Sequence, residues 1–414
     1  MDGDDIVLEQ LPGAKKSLRI AFVTETYPPE VNGVANTAAH FVEGLRARKH
    51  EILLLRPRQH SSDRAAIHPG FHEVLMRGLP IPRYPGLKMG LPAKQALVRL
   101  WSRVRPDLVH IVTEGPLGWS ALQAARKLKL PVSSDFRTNF HAYSRHYGVG
   151  WLHQPIAAYL RKFHNRTGLT LVPTESMRRQ LDALGFRNLH VVARGVDTGL
   201  FNPARRSEAL RVSWDAAPDD PVAVYAGRLA PEKNLEPVLA AFEHIRRSRP
   251  RAKLVFVGDG PARASLQQRA PDAIFAGMRT GEELAAHYAS GDIFLFASLT
   301  ETFGNVTVEA MASGLAVVAY GYAAAAEHIV HDRNGLLAPF NDAAQFVRLA
   351  EALAVDRARM RAFGARAQRT AERLAWDSVV DQFERLLLAV AAARSGPQDA
   401  VFGGAGAEAG SLTS

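Results

Sequence analysis

The chain of 414 residues contains no cysteine. Structural disulfides and thiolate chemistry are therefore excluded, and the composition suits a reducing compartment. No apolar run approaches the roughly 18 residues that a membrane-spanning helix needs. The first residues, MDGDDIVLEQLPGAKK, are acidic and lack an apolar h-region, which argues against a secretory signal. There is no HExxH and no Cys/His ligand spacing, so neither a metal nor a resident cofactor is expected. Asp2-Gly3-Asp4 matches a metal-binding DxD only by letter, in a tail, 1–17, expected to be disordered. The dinucleotide fingerprint GxGxxG is missing. So is any RNA-module signature or aromatic-rich basic strand, and nucleic acid is not an expected partner.

What is present suits two domains of roughly 200 residues each, with enough apolar residues (47%) for two full cores. The net charge of +10 is uneven. Residues 1–200 hold 28 Lys and Arg against 16 Asp and Glu, a balance of +12, while the remainder stands at −2. A basic first half attracts anionic surfaces, and an anionic membrane is the expected one. The segment Leu91–Arg105 adds to this, with Leu97, Leu100, Trp101 and Val104 beside Lys94, Arg99 and Arg103. A core-facing helix with solvated charges is the alternative reading of that segment.

Apolar strand-like runs alternate with helical patterns along the whole chain. One series covers Leu18–Val23, Ile52–Leu55, Leu108–Val112, Val132–Asp135, Leu169–Pro173 and Leu189–Ala193. A second covers Val222–Tyr225, Leu254–Val257, Ile274–Ala276, Ile293–Ala297 and Ala316–Ala319. Helices are expected at Asn36–Arg48, Glu236–Arg247, Glu282–Ala289 and, amphipathic, at Trp376–Leu388. Such alternation predicts parallel sheets covered on both faces, in an α/β protein of two doubly wound domains. Ligands in these folds bind beyond the carboxyl ends of the strands, so the domains should face a central cleft. The junction is expected near Gly195–Asp220, where Pro203, Pro218 and Pro221 break the pattern. Pro80–Pro92 reads as a mobile loop, and 395–414, rich in Gly, Ala and Ser, as a disordered tail.

The stretch SLTETFGNVTVEAMASG, Ser298 to Gly314, carries the most chemistry. It follows a continuous apolar strand and sets Glu301 and Glu309 eight positions apart, the second on a helix. The turn Thr302-Phe303-Gly304-Asn305 leads into that helix. A strand, a glycine turn and a helix direct free backbone N–H groups at an anion. The two carboxylates add acceptors for hydroxyl groups, so a nucleotide-sugar fits. In AGRLAPEKN, Ala226 to Asn234, Arg228 and Lys233 flank a helix-opening turn after the strand Val222–Tyr225, which suits a diphosphate. Val257-Gly258-Asp259-Gly260-Pro261 ends another strand in a turn whose backbone, at Gly258, can face the nucleotide. Met278 is a candidate contact for the base. In the first half, Gly33 closes the loop Thr24–Val34 just before a helix and allows close approach. Asp135-Phe136-Arg137-Thr138-Asn139-Phe140-His141 crowds polar groups at a strand end, and His146, His153 and His164 follow it.

With these motifs, Gly227–Asn234, Val257–Pro261, Thr24–Val34 and the spacing from Glu301 to Glu309 (the E-x7-E pattern), the chain resembles the retaining GT-B glycosyltransferases of family 4 over roughly residues 18–390. The resemblance implies the GT-B fold, two Rossmann-like domains facing a cleft. Residues 18–200 would bind the acceptor and 201–375 the nucleotide-sugar, while 376–394 would form a helix crossing back to the first domain. It implies Arg228 and Lys233 on the diphosphate, Glu301 with the Phe303-Gly304-Asn305 backbone at the donor sugar, and Glu309 at the ribose hydroxyls, with no metal. Many relatives read HTNF where this chain reads Arg137-Thr138-Asn139-Phe140. Arginine cannot serve as a general base at neutral pH. Arg137 can stabilise developing charge, and His141 takes over only if the backbone brings it in. The sequence is most similar to bacterial α-mannosyltransferases using GDP-mannose. That implies a cytoplasmic hexosyltransferase, peripheral on the inner face of the cytoplasmic membrane, acting on a lipid or glycan acceptor in envelope synthesis. The alternatives are a UDP-sugar-dependent glucosyl- or sulfoquinovosyl-type glycolipid transferase, a nucleotide-sugar epimerase, and a non-enzymatic binder.

Overall fold

The computed structural model describes residues 17–393, except 31, 82–83, 138–152 and 302. His141 and His146, and the tails at 1–16 and 395–414, therefore lie outside the described residues. The first sheet comprises β1 (Arg19–Val23), β2 (Glu51–Pro57), β3 (Ile67–His68), β4 (Phe71–Met76), β7 (Leu108–Ile111), β8 (Val132–Asp135), β9 (Leu169–Val172) and β10 (Leu189–Val191), while β5 (Gly78–Ile81) and β6 (Tyr84–Gly90) pair separately. Its order is β10-β9-β8-β7-β1-β2-β4-β3, parallel except for β3 at the edge. The second sheet holds β11 (Val222–Ala226), β12 (Lys253–Val257), β13 (Ile274–Gly277), β14 (Ile293–Phe296), β15 (Ala316–Tyr320) and β16 (Leu336–Ala338), in the order β13-β12-β11-β14-β15-β16 and parallel throughout. Numbered within that sheet the order is 3-2-1-4-5-6, a Rossmann arrangement. The molecule is thus α/β with two Rossmann-like doubly wound domains.

Burial explains why unbroken apolar runs became strands. Every residue of β11, β14 and β15 is buried, because helices cover both faces of a parallel sheet. Five strands escaped the pattern, β3 to β6 and β16. β4 mixes buried Phe71 with exposed His72, and β16 has only three residues.

One expectation is corrected, and one pair of alternatives is decided. Pro80–Pro92 is not an open loop for most of its length: β5 and β6 form an antiparallel hairpin, with Gly78 opposite Gly90 and Leu79 opposite Met89. A two-stranded ribbon has only edge strands, where the N–H that proline lacks need not be paired. The helix Lys94–Arg103 buries Leu97 and Trp101 completely, in one core cluster with Ala121 and Leu122 of the helix Pro116–Lys127. Leu97 and Trp101 are thus core, as the core-facing reading of this segment has it, while Val104 at its end is exposed.

The chain crosses between the sheets twice, side by side. Val192 belongs to the first domain's core and Val196 to the second's, and Val196 N–H donates to Leu374 O at 2.9 Å. The helix Trp376–Ala392 then returns to the first domain, where Val379, Val380, Phe383 and Leu387 join its core. Phe383 packs on Phe41 with ring centroids 4.1 Å apart, and Trp376 stacks on His40 at 4.2 Å. Glu384, buried in this seam, meets His50 Nε2 at 3.0 Å and Arg48 Nε at 3.2 Å. A further tie between domains runs from Ser176 N–H to Glu327 Oε1, 3.1 Å.

Candidate active site

In the second sheet β11 and β14 are neighbours, and the order of the strands reverses between them. Open α/β sheets bind ligands at such a switch point. The loops leaving these two strands carry the motifs singled out above, and three contacts tie them together. Asn234 Nδ2 donates to Ala297 O at 3.1 Å, Thr300 Oγ1 donates to Glu232 O at 3.1 Å, and Lys233 Nζ lies 2.5 Å from Glu301 Oε1. Glu301 Oε1 also accepts from Ser298 Oγ at 2.8 Å, and its carbonyl accepts from Tyr322 Oη at 2.8 Å. Lys233 and Glu301 are thus a half-buried ion pair with both main chains braced. Arg228 is more exposed and lies 3.4 Å from Glu232 Oε1.

The helix-opening turn expected between Arg228 and Lys233 is a single 3₁₀ turn, Pro231–Lys233. It ends at Asn234, whose φ of 52° is left-handed, and the α-helix begins only at Glu236. The two cations therefore stand on a loop ahead of the helix rather than on its first turn.

Gly304 caps the helix Asn305–Ala312 with φ of 90°, a conformation that favours glycine. Phe303 turns its ring into the core, edge-on to His328 at 5.9 Å, so only its backbone is left for the cleft. Asn305 Oδ1 is buried without a hydrogen-bond partner among the described residues. Glu309 lies on the same helix and accepts from Tyr288 Oη at 3.0 Å. Burial pushes its carboxyl up to about 7, against the downward pull of the Tyr288 bond. Gly258 has φ of 134°, and a Cβ there would stand 2.0 Å from Gly227 O. The glycine lets two turns touch, a packing reason that holds with or without a ligand. Met278 is exposed beside β13 at the sheet edge.

From the first domain, Gly33 opens the helix Gly33–Ala47, whose cap Asn32 accepts from Val34 N and Ala35 N at 3.0 and 2.8 Å. Arg137 is buried, and its Nε donates to Asp135 Oδ2 at 2.7 Å. Burial pushes Asp135 up, but the charges and hydrogen bonds of Arg137 and His110 outweigh it and hold the carboxyl at about 2.

Two further charged residues beyond strand ends of the first domain were not singled out by sequence reasoning. Arg194, on the crossing segment, is buried against Gly33, where a Cβ would stand 2.7 Å from its Nη1. Burial and the like charge of Arg137 pull its guanidinium down to about 9, while Asp135 and Glu301 pull the other way, so it is charged at neutral pH. Its position just beyond β10, at the carboxyl end of a parallel strand, was the available signal. Glu25, just beyond β1, accepts from Leu117 N at 3.0 Å, and burial pushes it up to about 7. Among the described residues, no group of three or more His, Asp and Glu side chains is placed to hold a metal ion.

Comparison with known proteins fits this geometry. Residues 31–200 match the family model described as Glycosyltransferase Family 4, and residues 220–356 that described as Glycosyl transferases group 1. A GDP-mannose-dependent alpha-mannosyltransferase of Mycobacterium tuberculosis is 37% identical over 330 residues, 78% of this chain and 85% of that one. Its namesake from Corynebacterium glutamicum is 34% identical over 323 residues, covering 78% and 77%. The sulfoquinovosyl transferase SQD2 of Arabidopsis thaliana is 31% identical over 77% of this chain and 63% of its own. Among solved structures, sucrose-phosphate synthase from Thermosynechococcus elongatus superposes with a TM-score of 0.73 at 18% identity, covering 91% of this chain and 99% of that one. Anabaena Alr3699/HepE, solved in complex with UDP-glucose, does so with 0.67 at 18% identity, covering 90% and 100%. These two likenesses concern the fold, which is GT-B. Taken with identities above 30% over three quarters of its length, they leave one conclusion: the chain belongs to glycosyltransferase family 4 and is a hexosyltransferase.

Proposed function

We propose that this enzyme transfers mannose from GDP-mannose, with retention, to a lipid or glycan acceptor. The observation that carries the reading is the Lys233–Glu301 pair at the switch point of the second sheet, with Arg228 beside it. In this reading Arg228 and Lys233 hold the diphosphate. Glu301 and the Phe303-Gly304-Asn305 backbone hold the sugar, Glu309 the ribose hydroxyls, and Gly258 and Met278 border the nucleoside. Gly33 lets the first domain approach the donor. Residues 18–200 serve the acceptor, 201–375 the donor, and 376–394 link the two. The acceptor oxygen bonds to the anomeric carbon as the bond from that carbon to phosphate oxygen breaks, and the leaving phosphate takes the acceptor proton. Charge grows on the diphosphate in that step, and fixed cations stabilise it where it grows. Arg228 and Lys233 supply this charge from the chain itself, so turnover needs no added divalent ion.

The test is a thermal-shift comparison of GDP and UDP, beside transfer from GDP-mannose in EDTA. A nucleotide at a hundred times its Kd stabilises by about 2.7 kcal/mol. GDP should raise Tm more than UDP, and GDP-mannose should turn over in EDTA. A response to UDP alone would favour the UDP-sugar-dependent glucosyl- or sulfoquinovosyl-type transferase; a sulfoquinovosyl transferase is among the relatives, at 31% identity. Activity lost in EDTA and restored by Mg²⁺ would refute the metal-free step.

We also propose peripheral attachment to the cytoplasmic face of an anionic membrane through the +12 first half. Among the described residues no helix is long and apolar enough to cross a membrane. With Leu97 and Trp101 in the core, attachment rests on charge, which salt screens over ~8 Å at physiological ionic strength. Co-sedimentation with anionic liposomes should fall as salt rises. Equal sedimentation with neutral and anionic liposomes at low salt would refute it.

A further inference from the structure

Two arginines of the first domain have no part in the transfer step proposed above. Arg137 and Arg194 are both more than nine-tenths buried, at 5% and 7% exposure. Arg137 Nη1 and Nη2 and Arg194 Nε have no hydrogen-bond partner among the described residues. Arg137 is not free to swing: its Nε is held by Asp135, and its guanidinium lies over the Phe41 ring, 5.3 Å from the centroid. Arg194 is confined against Gly33 at the N-terminus of the helix Gly33–Ala47. Two fixed, desolvated guanidinium groups repel each other and leave strong donors unsatisfied. Such an arrangement is unfavourable unless something accepts those donors. A planar fork of N–H groups matches an oxyanion, and a helix N-terminus nearby adds to the attraction.

We propose that Arg137 and Arg194 form a second oxyanion subsite, separate from Arg228 and Lys233, that takes a phosphoryl or carboxyl group. The proposal builds on the glycosyltransferase reading and names two sources for the anion: an acid group on the acceptor, or the donor phosphate nearest the reacting carbon. Arg194 stands between Val192 of one core and Val196 of the other, so an anion bound there also draws on the segment where the domains join. Arg137, where many relatives carry histidine, would thus be a binding group in place of a titrating one.

The test uses the full chain and Arg194→Met, with Arg194→Lys as the conservative control and Arg137→Lys as the partner variant. Arg194→Met should melt no lower than wild type without ligand, because it removes an unpaired buried charge. GDP affinity is measured by titration, and transfer is compared between octyl glucuronide and octyl glucoside as acidic and neutral acceptors. If the acceptor supplies the anion, the acidic-to-neutral preference falls about tenfold or more in Arg194→Met and Arg137→Lys. If the donor supplies it, GDP affinity falls by about that factor and the preference is unmoved. Either result supports the subsite. A lower melting temperature in Arg194→Met with neither GDP affinity nor preference changed would overturn it and leave a structural arginine. A wild type that neither binds GDP nor transfers hexose would refute the glycosyltransferase reading instead. Inorganic phosphate then tests the subsite alone: it should raise the melting temperature of wild type more than that of Arg194→Met, and equal shifts would overturn the subsite.

Discussion

Lys233→Ala should lower kcat/KM for hexose transfer by about 10²–10³, or roughly 2.7–4 kcal/mol, the range found when one fixed donor to a developing anion is removed. Two losses combine. The ammonium sits 2.5 Å from Glu301 Oε1, so its removal takes away charge meant for the leaving diphosphate and also frees the carboxylate meant for the sugar. Ser298 Oγ, 2.8 Å from the same oxygen, holds Glu301 only in part. Nucleoside diphosphate affinity should fall together with turnover, measured by titration beside steady-state kinetics. Arg228→Ala should do less, because that side chain is 66% exposed and its charge is already screened by water and Glu232. Nucleotide affinity and turnover both at wild-type level in Lys233→Ala would remove the diphosphate assignment.

Glu309→Gln should trade binding for stability, and pH exposes the trade. The Glu309 carboxyl is raised from 4.5 to about 7, mainly by burial. Between those values the folded protein holds a proton that the unfolded chain has released. Stability therefore falls as pH rises through this window, and the penalty is complete above about 7, where it amounts to about 3 kcal/mol. Glutamine keeps an acceptor for Tyr288 Oη, 3.0 Å away in the wild type, and has no charge to bury. The variant should melt above wild type at pH 8 and approach it toward pH 5. Its affinity for GDP should meanwhile fall about tenfold at pH 8, since hydrogen bonds to a carboxylate exceed those to an amide by about 1–1.5 kcal/mol. A lower melting temperature at pH 8, or unchanged GDP affinity, would contradict this division between a poor core residue and a good ligand for hydroxyls.

Much of this was readable from one sequence because parallel sheets bury both faces of their strands. Uninterrupted runs such as IFLF and AVVAY can hardly lie elsewhere, and the glycine-marked turns after them fall at the carboxyl ends, where ligands bind. Local chain chemistry thus singled out Arg228, Lys233, Glu301 and Glu309 as candidates and marked an amphipathic helix at Trp376–Leu388, while the return of that helix to the first domain was implied by the family resemblance and is seen in the structure. The use of each apolar face was not local. Leu91–Arg105 has the pattern of a membrane-surface helix, and whether Leu97 and Trp101 met lipid or core depended on the neighbouring helix Pro116–Lys127. Proline and glycine in Pro80–Pro92 suggested a loop, because a lone hairpin is held by a partner strand that propensity does not register. Which charges are paired was likewise decided only in three dimensions. Lys233 and Glu301 are 68 residues apart and meet because β11 and β14 are neighbours. Arg194 looks in sequence like an ordinary surface cation, and Arg137 stood out only by its place at a strand end. Only the tertiary fold takes Arg137 and Arg194 out of water and leaves Nη1 and Nη2 of the first and Nε of the second without partners among the described residues, for solvation belongs to the assembled cleft and not to the residue type.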